Sequence, residues 1–362
     1  MTPHLVQEAL ATTPRIGQEQ FAFLLCQHGT EPTLKARWLG GDSPLRLAFS
    51  RPGLLTFKTA EGAPAAVSIG DDWMVRLAGL ILGQVKGELV ESMVDEALTL
   101  AGTDWDAVHV FLRDSGLPGV KGFEPGPTLL GDEIAAIFAR RWPTEGAPPR
   151  INAEAEVGSR VLDIVIADPQ HWLIGHHQVQ RSHERWPGGA YSAPEPNEMI
   201  SRAYLKMAEA LAWSGLPIQP GDSFVEIGSA PGGACQRLLD LGLKVTGIDP
   251  AEMDPLLLAH PRFEHWRCKT AGVRRKMYSK FRWLAADASA TPNYTLDCVE
   301  DIVNYKTSHI AGMLLTLKLT NYDLAAKMDE HIARVHSWGY ARVEVRQLAS
   351  NRRECCLVAE RS

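Results

Sequence analysis

The sequence predicts an α/β chain, with an open and mostly parallel sheet in its second half and a unit of α+β character before it. Three observations carry this. Phe224-Val225-Glu226-Ile227 is an apolar run that stops at a turn, Gly228-Ser229-Ala230-Pro231-Gly232-Gly233; a helix-length gap follows, then a second apolar run ending in Asp249. That is the pattern of a β-α-β unit. From Asn197 onward strand-like runs alternate with helical ones, which implies parallel pairing through crossovers. Before that point, strand pairs broken by turn signatures mix with helices, which suits antiparallel sheet in α+β layers.

In chain order, Phe21 to Gln27 reads as a strand and Glu31 to Leu39 as a helix. Leu45 to Ser50 and Leu54 to Lys58 read as strands around the Arg51-Pro52-Gly53 turn. Apolar residues recur at helical spacing over Val90 to Ala101 and Gly131 to Trp142, with a strand at His109 to Arg113 between them. Arg160 to Ala167 and His171 to Gln178 form a closing strand pair. The run Trp186-Pro187-Gly188-Gly189, with Pro194 and Pro196, reads as a loose linker. The domains are therefore expected at 1–190 and 191–362. A helix is predicted from Asn197 to Gly215. Strands follow at Ser223, at Lys244 to Asp249, at Phe263 to Arg267, at Trp283 to Asp287 and at Met313 to Leu319. Val343 to Leu348 and Cys355 to Ala359 close the chain as a hairpin around Ser350-Asn351.

Two domains suit 362 residues. Hydrophobic content of 45% and charged content of 22% describe a soluble, well-cored chain. The stretch Met1 to Gln20 lacks a basic start and a long apolar core, so neither a signal peptide nor a membrane span is expected there. The six cysteines show no Cys-x-x-Cys spacing, and Cys355 and Cys356 would point to opposite faces of a strand. No structural zinc, no metal and no disulfide framework are expected, and a cytoplasmic, reduced monomer is the economical reading. A net charge of −6 excludes indiscriminate polyanion binding, so any nucleic-acid contact must use a local patch.

The glycine turn suits a ligand. Gly228, Gly232 and Gly233 let the backbone turn sharply and come close to a bound group. Pro231 stands where a helix begins, and Asp249 lies about 20 residues on, where a carboxylate reaches ribose hydroxyls. A dinucleotide site would want Gly-x-Gly-x-x-Gly, but the third position is Ala230 and a proline follows. Four ionisable residues recur nearby: Lys206 in the leading helix, Asp287 at the end of the fourth strand, Lys318 near the end of the fifth and Glu354 in the final hairpin. Taken singly each has an ordinary reading. Lys206 could be an exposed helical lysine, Asp287 a helix cap, and Glu354 a surface ion-pair partner of Arg352 and Arg353. Lys318, inside Leu315-Thr316-Leu317-Lys318-Leu319, is harder to dismiss, because a buried ammonium needs a partner.

Together these features resemble the FtsJ-like RNA ribose 2′-O-methyltransferases. Acid-x-Gly-x-x-Pro-Gly-Gly (Glu226 to Gly233) looks like their first motif, Ser201 to Lys206 like their Ser-Arg-x-x-x-Lys run, and Asp249 to Met253 like their Asp-Pro-x-x-Met. The run from Arg346 to Glu354 resembles the subgroup that acts on a cytidine of bacterial large-subunit ribosomal RNA. The resemblance covers about the last 165 residues. It implies a Rossmann-like class I fold that binds S-adenosylmethionine, preceded by a THUMP-like and ferredoxin-like RNA-binding domain. It also implies a Lys206-Asp287-Lys318-Glu354 catalytic tetrad acting on RNA, ribosomal RNA above all. The cofactor would meet Glu226, Gly228, Ser229, Ala230, Pro231, Gly232, Gly233, Asp249 and Asp287. Where the family often has an adenine-binding acid, Cys268-Lys269-Thr270 stands instead, leaving Thr270 as the candidate. In the implied chemistry, burial and the charge of Lys206 would depress the Lys318 pKa so that it takes the hydroxyl proton. The basic and aromatic stretch from Arg262 to Trp283, with Arg274-Arg275-Lys276 at its centre, could hold RNA phosphates and stack bases, or could simply be a solvated loop. A same-fold enzyme acting on a base or small molecule, and a non-catalytic RNA-binding or assembly protein, are the competing readings.

Overall fold

The computed structural model describes residues 20–41, 43–59, 69–143, 148–194, 196–319 and 322–361. The expectation about signal peptide and span at the start of the chain therefore falls almost wholly outside them. Among the described residues, no helix is long and apolar enough to cross a membrane. All six cysteines are free.

The first sheet has eight strands: β1 (Gln20–Cys26), β2 (Leu45–Arg51), β3 (Leu54–Thr59), β4 (Val75–Lys86), β5 (Ala107–Leu112), β6 (Arg150–Ile151), β7 (Arg160–Asp168) and β8 (His171–Gln178). Their order is β2-β3-β1-β4-β8-β7-β5-β6. The pairs from β2 through β8 to β7 are antiparallel, while β7-β5 and β5-β6 are parallel. Helix α1 (Glu31–Trp38) buries Leu34. Helices α2 (Val90–Ala101) and α3 (Leu129–Arg141) share one face of the sheet, burying Met93, Val94 and Ala97 and Ile134, Ile137 and Phe138 against Val108, Ile164 and Ile174. The Thr128 hydroxyl caps α3, accepting from the Gly131 amide at 3.1 Å.

The longest strand, β4, has no counterpart in the sequence reading. Gly79 and Gly83 interrupt its apolar run, and glycine ordinarily weakens a strand. Here they answer close neighbours. A Cβ on Gly79 would lie 2.5 Å from the Phe23 ring and 2.6 Å from the His176 carbonyl oxygen, and one on Gly83 would lie 2.5 Å from Leu100.

The first part of the expected loose linker is packed instead. Trp186, Gly188, Gly189 and Ala190 are buried. Arg76 of β4 donates to Gly188 O at 2.8 Å and holds Asp114 in a bidentate pair at 2.7 and 2.9 Å. The glycines there adopt positive φ so that the chain can lie on β4, where a Cβ on Gly189 would sit 2.7 Å from Arg76 O.

The second sheet orders its seven strands β11-β10-β9-β12-β13-β15-β14. They are β9 (Ser223–Ile227), β10 (Lys244–Ile248), β11 (Phe263–Trp266), β12 (Trp283–Ala286), β13 (Gly312–Lys318), β14 (Arg342–Arg346) and β15 (Glu354–Glu360). The first five pair in parallel, and β15 runs antiparallel to both its neighbours. Side chains alternate between two cores. Val225, Ile227, Leu284, Leu315, Leu317 and Cys355 face α7 (Pro292–Val303) and α8 (Met328–Ser337). Phe224, Ala285, Leu314 and Cys356 face α4 (Ala203–Ser214) and α5 (Gly233–Asp240). The short α6 (Pro255–Leu258) follows β10. Helix α4 begins six residues later than the Asn197 expected. Residues 197–202 run as an irregular lead-in whose Ser201 lies against Gly233, where an added Cβ would be 2.3 Å from the hydroxyl.

A Gly79→Ala variant should lose about 1–3 kcal/mol of stability, the usual cost of forcing an atom into a filled core. Denaturant unfolding measures it, and an unchanged midpoint would mean that Phe23 moves aside freely.

Candidate active site

The strand order reverses at β9, with β10 on one side and β12 on the other, and a cleft opens beyond the carboxyl ends of such strands. Residues 228–233 turn there. Gly228 (φ +78°) and Gly232 (φ +124°) use backbone conformations that side chains rarely adopt, and a Cβ on Gly228 would lie 2.7 Å from Asp287 O. Asp249 follows β10. Its carboxylate accepts from Ala230 N at 3.2 Å and Ala251 N at 2.8 Å, which fixes it over the turn with lone pairs to spare. Ser229 is buried, its hydroxyl against Met253 Sδ at 3.6 Å.

Glu226, near the end of β9, lines a small cavity together with Lys206 and Asp287. Its carboxyl is buried and accepts from Cys235 Sγ at 2.8 Å. Burial pushes it up to about 8; the Cys235 hydrogen bond opposes this and the nearby Asp287 charge adds to it. Thr270 lies in a short turn just past β11, its carbonyl occupied by Arg275.

The four ionisable residues meet in a closed ring of alternating charge. Lys206 Nζ, in the first turn of α4, contacts Asp287 Oδ2 at 2.5 Å and Glu354 Oε1 at 2.8 Å. Lys318 Nζ contacts Asp287 Oδ1 at 2.8 Å and Glu354 Oε2 at 2.5 Å. Asp287 directly follows β12, Lys318 ends β13, and Glu354 opens β15 directly opposite Lys318 in the antiparallel register. Arg352 gives Glu354 only its main-chain amide, at 3.3 Å, so the surface pairing with Arg352 and Arg353 is not formed.

The expected depression of Lys318 is overturned. Burial does act against its ammonium, but the carboxylates of Asp287 and Glu354 outweigh it and lift the pKa above the ordinary lysine range. Asp287 mirrors this: burial would raise it, yet Lys206 and Lys318 hold it below the ordinary carboxylate range. The sequence reading placed Lys206 beside Lys318 correctly. It underweighted the two acids lying between them.

Of the basic trio, Arg274 and Lys276 are exposed. Arg275 is committed internally, donating to Thr270 O at 3.3 Å, Val273 O at 3.1 Å and Asp301 at 3.1 Å. The segment then runs toward the amino ends of the strands, where Ser223 Oγ donates to Lys280 O at 2.7 Å. Closer to the ring stand Arg202, paired with Glu124 (2.6 Å to Oε2), and Arg352, whose Nε donates to Pro118 O.

Among the described residues, one buried cluster has metal-type side chains: His109, Asp163 and His177. His177 meets Asp163 Oδ2 at 2.6 Å through Nδ1 and Glu184 O at 2.9 Å through Nε2, so both nitrogens face acceptors, as in an imidazolium. Burial disfavours that cation, but Asp163 raises it on balance, while burial holds neighbouring His109 down to about 4. The cluster reads as an ion pair within the core.

An open parallel sheet with a glycine turn at its switch point and a polar ring beside it defines a methyltransferase-type α/β domain. Residues 199–309 match the FtsJ-like methyltransferase family, a span that includes Lys206, the turn, Asp249 and Asp287 and stops short of Lys318 and Glu354. The chain carries an FtsJ-like methyltransferase domain. It is similar to proteins described as ribosomal RNA large subunit methyltransferase M. That of Halorhodospira halophila is 28% identical over 62% of this chain and 66% of its own length. That of Laribacter hongkongensis is 29% identical over 47% and 50%, and that of Xylella fastidiosa 35% identical over 40% and 42%. The chain thus spans between two fifths and two thirds of these relatives.

A raised carboxyl pKa binds a proton in the folded state that the unfolded chain releases from its ordinary value of 4.5 upward. Glu226 therefore contributes stability that is present below that value and lost as pH rises toward about 8. Relative to Glu226→Gln, the wild-type Tm should fall steadily over this interval. Parallel Tm–pH curves would show that Glu226 is not the titrating group.

Proposed function

We propose that this protein transfers a methyl group from S-adenosylmethionine to a ribose 2′-hydroxyl of RNA, and of large-subunit ribosomal RNA in particular. The observation that carries the reading is the Lys206-Asp287-Lys318-Glu354 ring beside the bare glycine turn. The residues present suit the cofactor. The turn offers backbone where a side chain would collide, and Asp249 offers a fixed carboxylate for a ribose diol. When bound, S-adenosylmethionine supplies an electrophilic methyl group on a sulfonium. Gly228 to Gly233, Asp249 and Asp287 would hold it, with Thr270 at the adenine end.

The chain's own task is to align a weakly acidic hydroxyl and take its proton. We assign Lys318 to accept that proton. Lys206 and Glu354 complete the ring that orients it. Since Lys318 is an ammonium while both carboxylates hold it, it must first give up a proton, and the neutral fraction grows with pH. A base or small-molecule substrate would not call for two lysines between two acids, and a purely RNA-binding relative would not need to keep the ring closed.

We read residues 1–190 as the RNA-holding domain and 191–362 as the methyltransferase domain. Strand order β2-β3-β1-β4, with α1 between β1 and β2, supports the ferredoxin-like reading of the first part, and the THUMP-like reading of the remainder rests on analogy. Exposed Arg274 and Lys276, with Arg202 and Arg352 nearer the ring, would carry phosphate contacts.

Large-subunit ribosomal RNA from cells lacking the gene should accept a methyl group from the purified protein at a single 2′-position. An unchanged 2′-O-methyl map between deletion and parent cells would reject that substrate. Lys318→Ala should bind S-adenosylmethionine with unchanged Kd while turnover drops by about 10²–10⁴-fold; full activity would remove Lys318 from the proton transfer. In the wild type, kcat/KM should rise about tenfold per pH unit from neutrality upward, because the Lys318 pKa lies above its ordinary value. A plateau near neutral pH would contradict the base assignment.

A further inference from the structure

The residues 347–353 carry the chain from β14 into Glu354, and two buried side chains from other parts of the fold hold them. Glu209 lies one turn beyond Lys206 on α4. Its carboxyl is buried and accepts from Ala349 N at 2.9 Å, Ser350 N at 2.8 Å and Ser350 Oγ at 2.5 Å. A buried carboxyl without a cation against it is expensive unless donors surround it, and here all three donors belong to this one segment.

Gln27 comes from the eight-stranded sheet, directly after β1, and is 4% exposed. Its Nε2 donates to Asn351 O, and its Oε1 accepts from Gln347 Nε2 at 3.1 Å and Arg353 N at 3.0 Å. Arg353 has φ +40°, a conformation disfavoured for a residue with a side chain, so its surroundings must impose it. Two hydrogen bonds do so: Gln27 takes its amide, and its carbonyl accepts from Leu319 N at 2.6 Å. Leu319 follows Lys318, and Glu354 follows Arg353. One strained residue thus ties the first sheet to both halves of the Lys318-Glu354 pair.

We propose that Gln27 and Glu209 are positioning residues for methyl transfer, setting where the Glu354 carboxylate stands and through it the proton affinity of Lys318. The inference rests on the assignment of the ring as the catalytic centre. It makes the first sheet part of the reaction geometry as well as a handle for substrate. Neither residue touches the ring. Each acts through the segment that ends in Glu354.

The test uses full-length Gln27→Ala and Glu209→Gln, with lysine-selective NMR titration of Lys318 and steady-state kinetics on the same samples. With Glu354 released, Lys318 should lose a proton at lower pH than in the wild type and the kcat–pH profile should move down with it, while the high-pH plateau of kcat falls by about 10- to 100-fold through lost alignment, at unchanged S-adenosylmethionine Kd. A merely structural role would lower Tm without moving the Lys318 titration, and that result would overturn the proposal. Wild-type titration in both variants would do the same. Should Gln27→Ala fail to fold, the uncharged and similarly sized Gln27→Met removes the hydrogen bonds to Asn351 O, Arg353 N and Gln347 while filling the space, and a shift in the same direction is expected. If wild-type protein methylates no ribosomal RNA, the functional reading fails on its own, while the Lys318 titration still decides whether Gln27 and Glu209 set the ring.

Discussion

The alternating ring of two ammonium groups and two carboxylates is the constraint on which the rest of this structure turns. At contact distance, an ion pair near a protein surface is worth about 4 kcal/mol of attraction, and taking each ion out of water costs several kcal/mol in return. A lone pair here would gain little. Closing four charges into a ring gives every one of them two opposite neighbours, and the sum of charge is zero. The arrangement demands that α4 and the ends of β12, β13 and β15 converge within hydrogen-bonding distance, which only the strand order β9-β12-β13-β15 with α4 against it provides. Removing any one member leaves a partly buried charge uncompensated, so the ring fixes the elements as firmly as they fix it.

Convergence of this kind needs rigid support, and the support is shared between the two sheets. Gln347 N donates to Trp73 O at 2.7 Å, Arg346 donates to Val75 O at 2.5 Å, and Ala325 packs among Leu24, Phe57 and Val75. Arg346 is buried deeply enough to fall to about 10. Spending a buried arginine on main-chain carbonyls at the start of β4 makes sense where relative placement of the sheets matters, since five fork-shaped donors fix orientation better than apolar contact does.

Much of this was legible in the residues. Strand periodicity after Ser223 and the glycine turn lie in local sequence, which is what periodicity and turn chemistry report, whereas the four ionisable positions were joined by the family resemblance. What escaped depended on partners distant in the chain. Strand β4 was hidden by Gly79 and Gly83, whose reason is the bulk of Phe23 and Leu100. The Gly188-Gly189 run looked like a loose linker because Arg76, more than a hundred residues earlier, could not be seen to lie against it. Arg275 looked like a phosphate contact until Asp301 claimed it. The sign of the Lys318 shift was misjudged because the neighbouring cation was weighted above the two acids, and the distances show both carboxylates touching the ammonium.

Glu226 and Glu209 flank the ring and show two different answers to one problem. Both are buried carboxyls without a cation in contact. Glu209 meets three donors, which stabilise its charge even though burial, the largest effect, raises its pKa. Glu226 has a single thiol donor, and burial together with the nearby Asp287 charge leaves it protonated through much of the neutral range, at about 8. An ionised Glu226 would stand near the Asp287 carboxylate, and that like charge adds to burial in favouring the protonated form. The two acids thus differ in how far their donors offset burial, three donors for Glu209 against one thiol for Glu226.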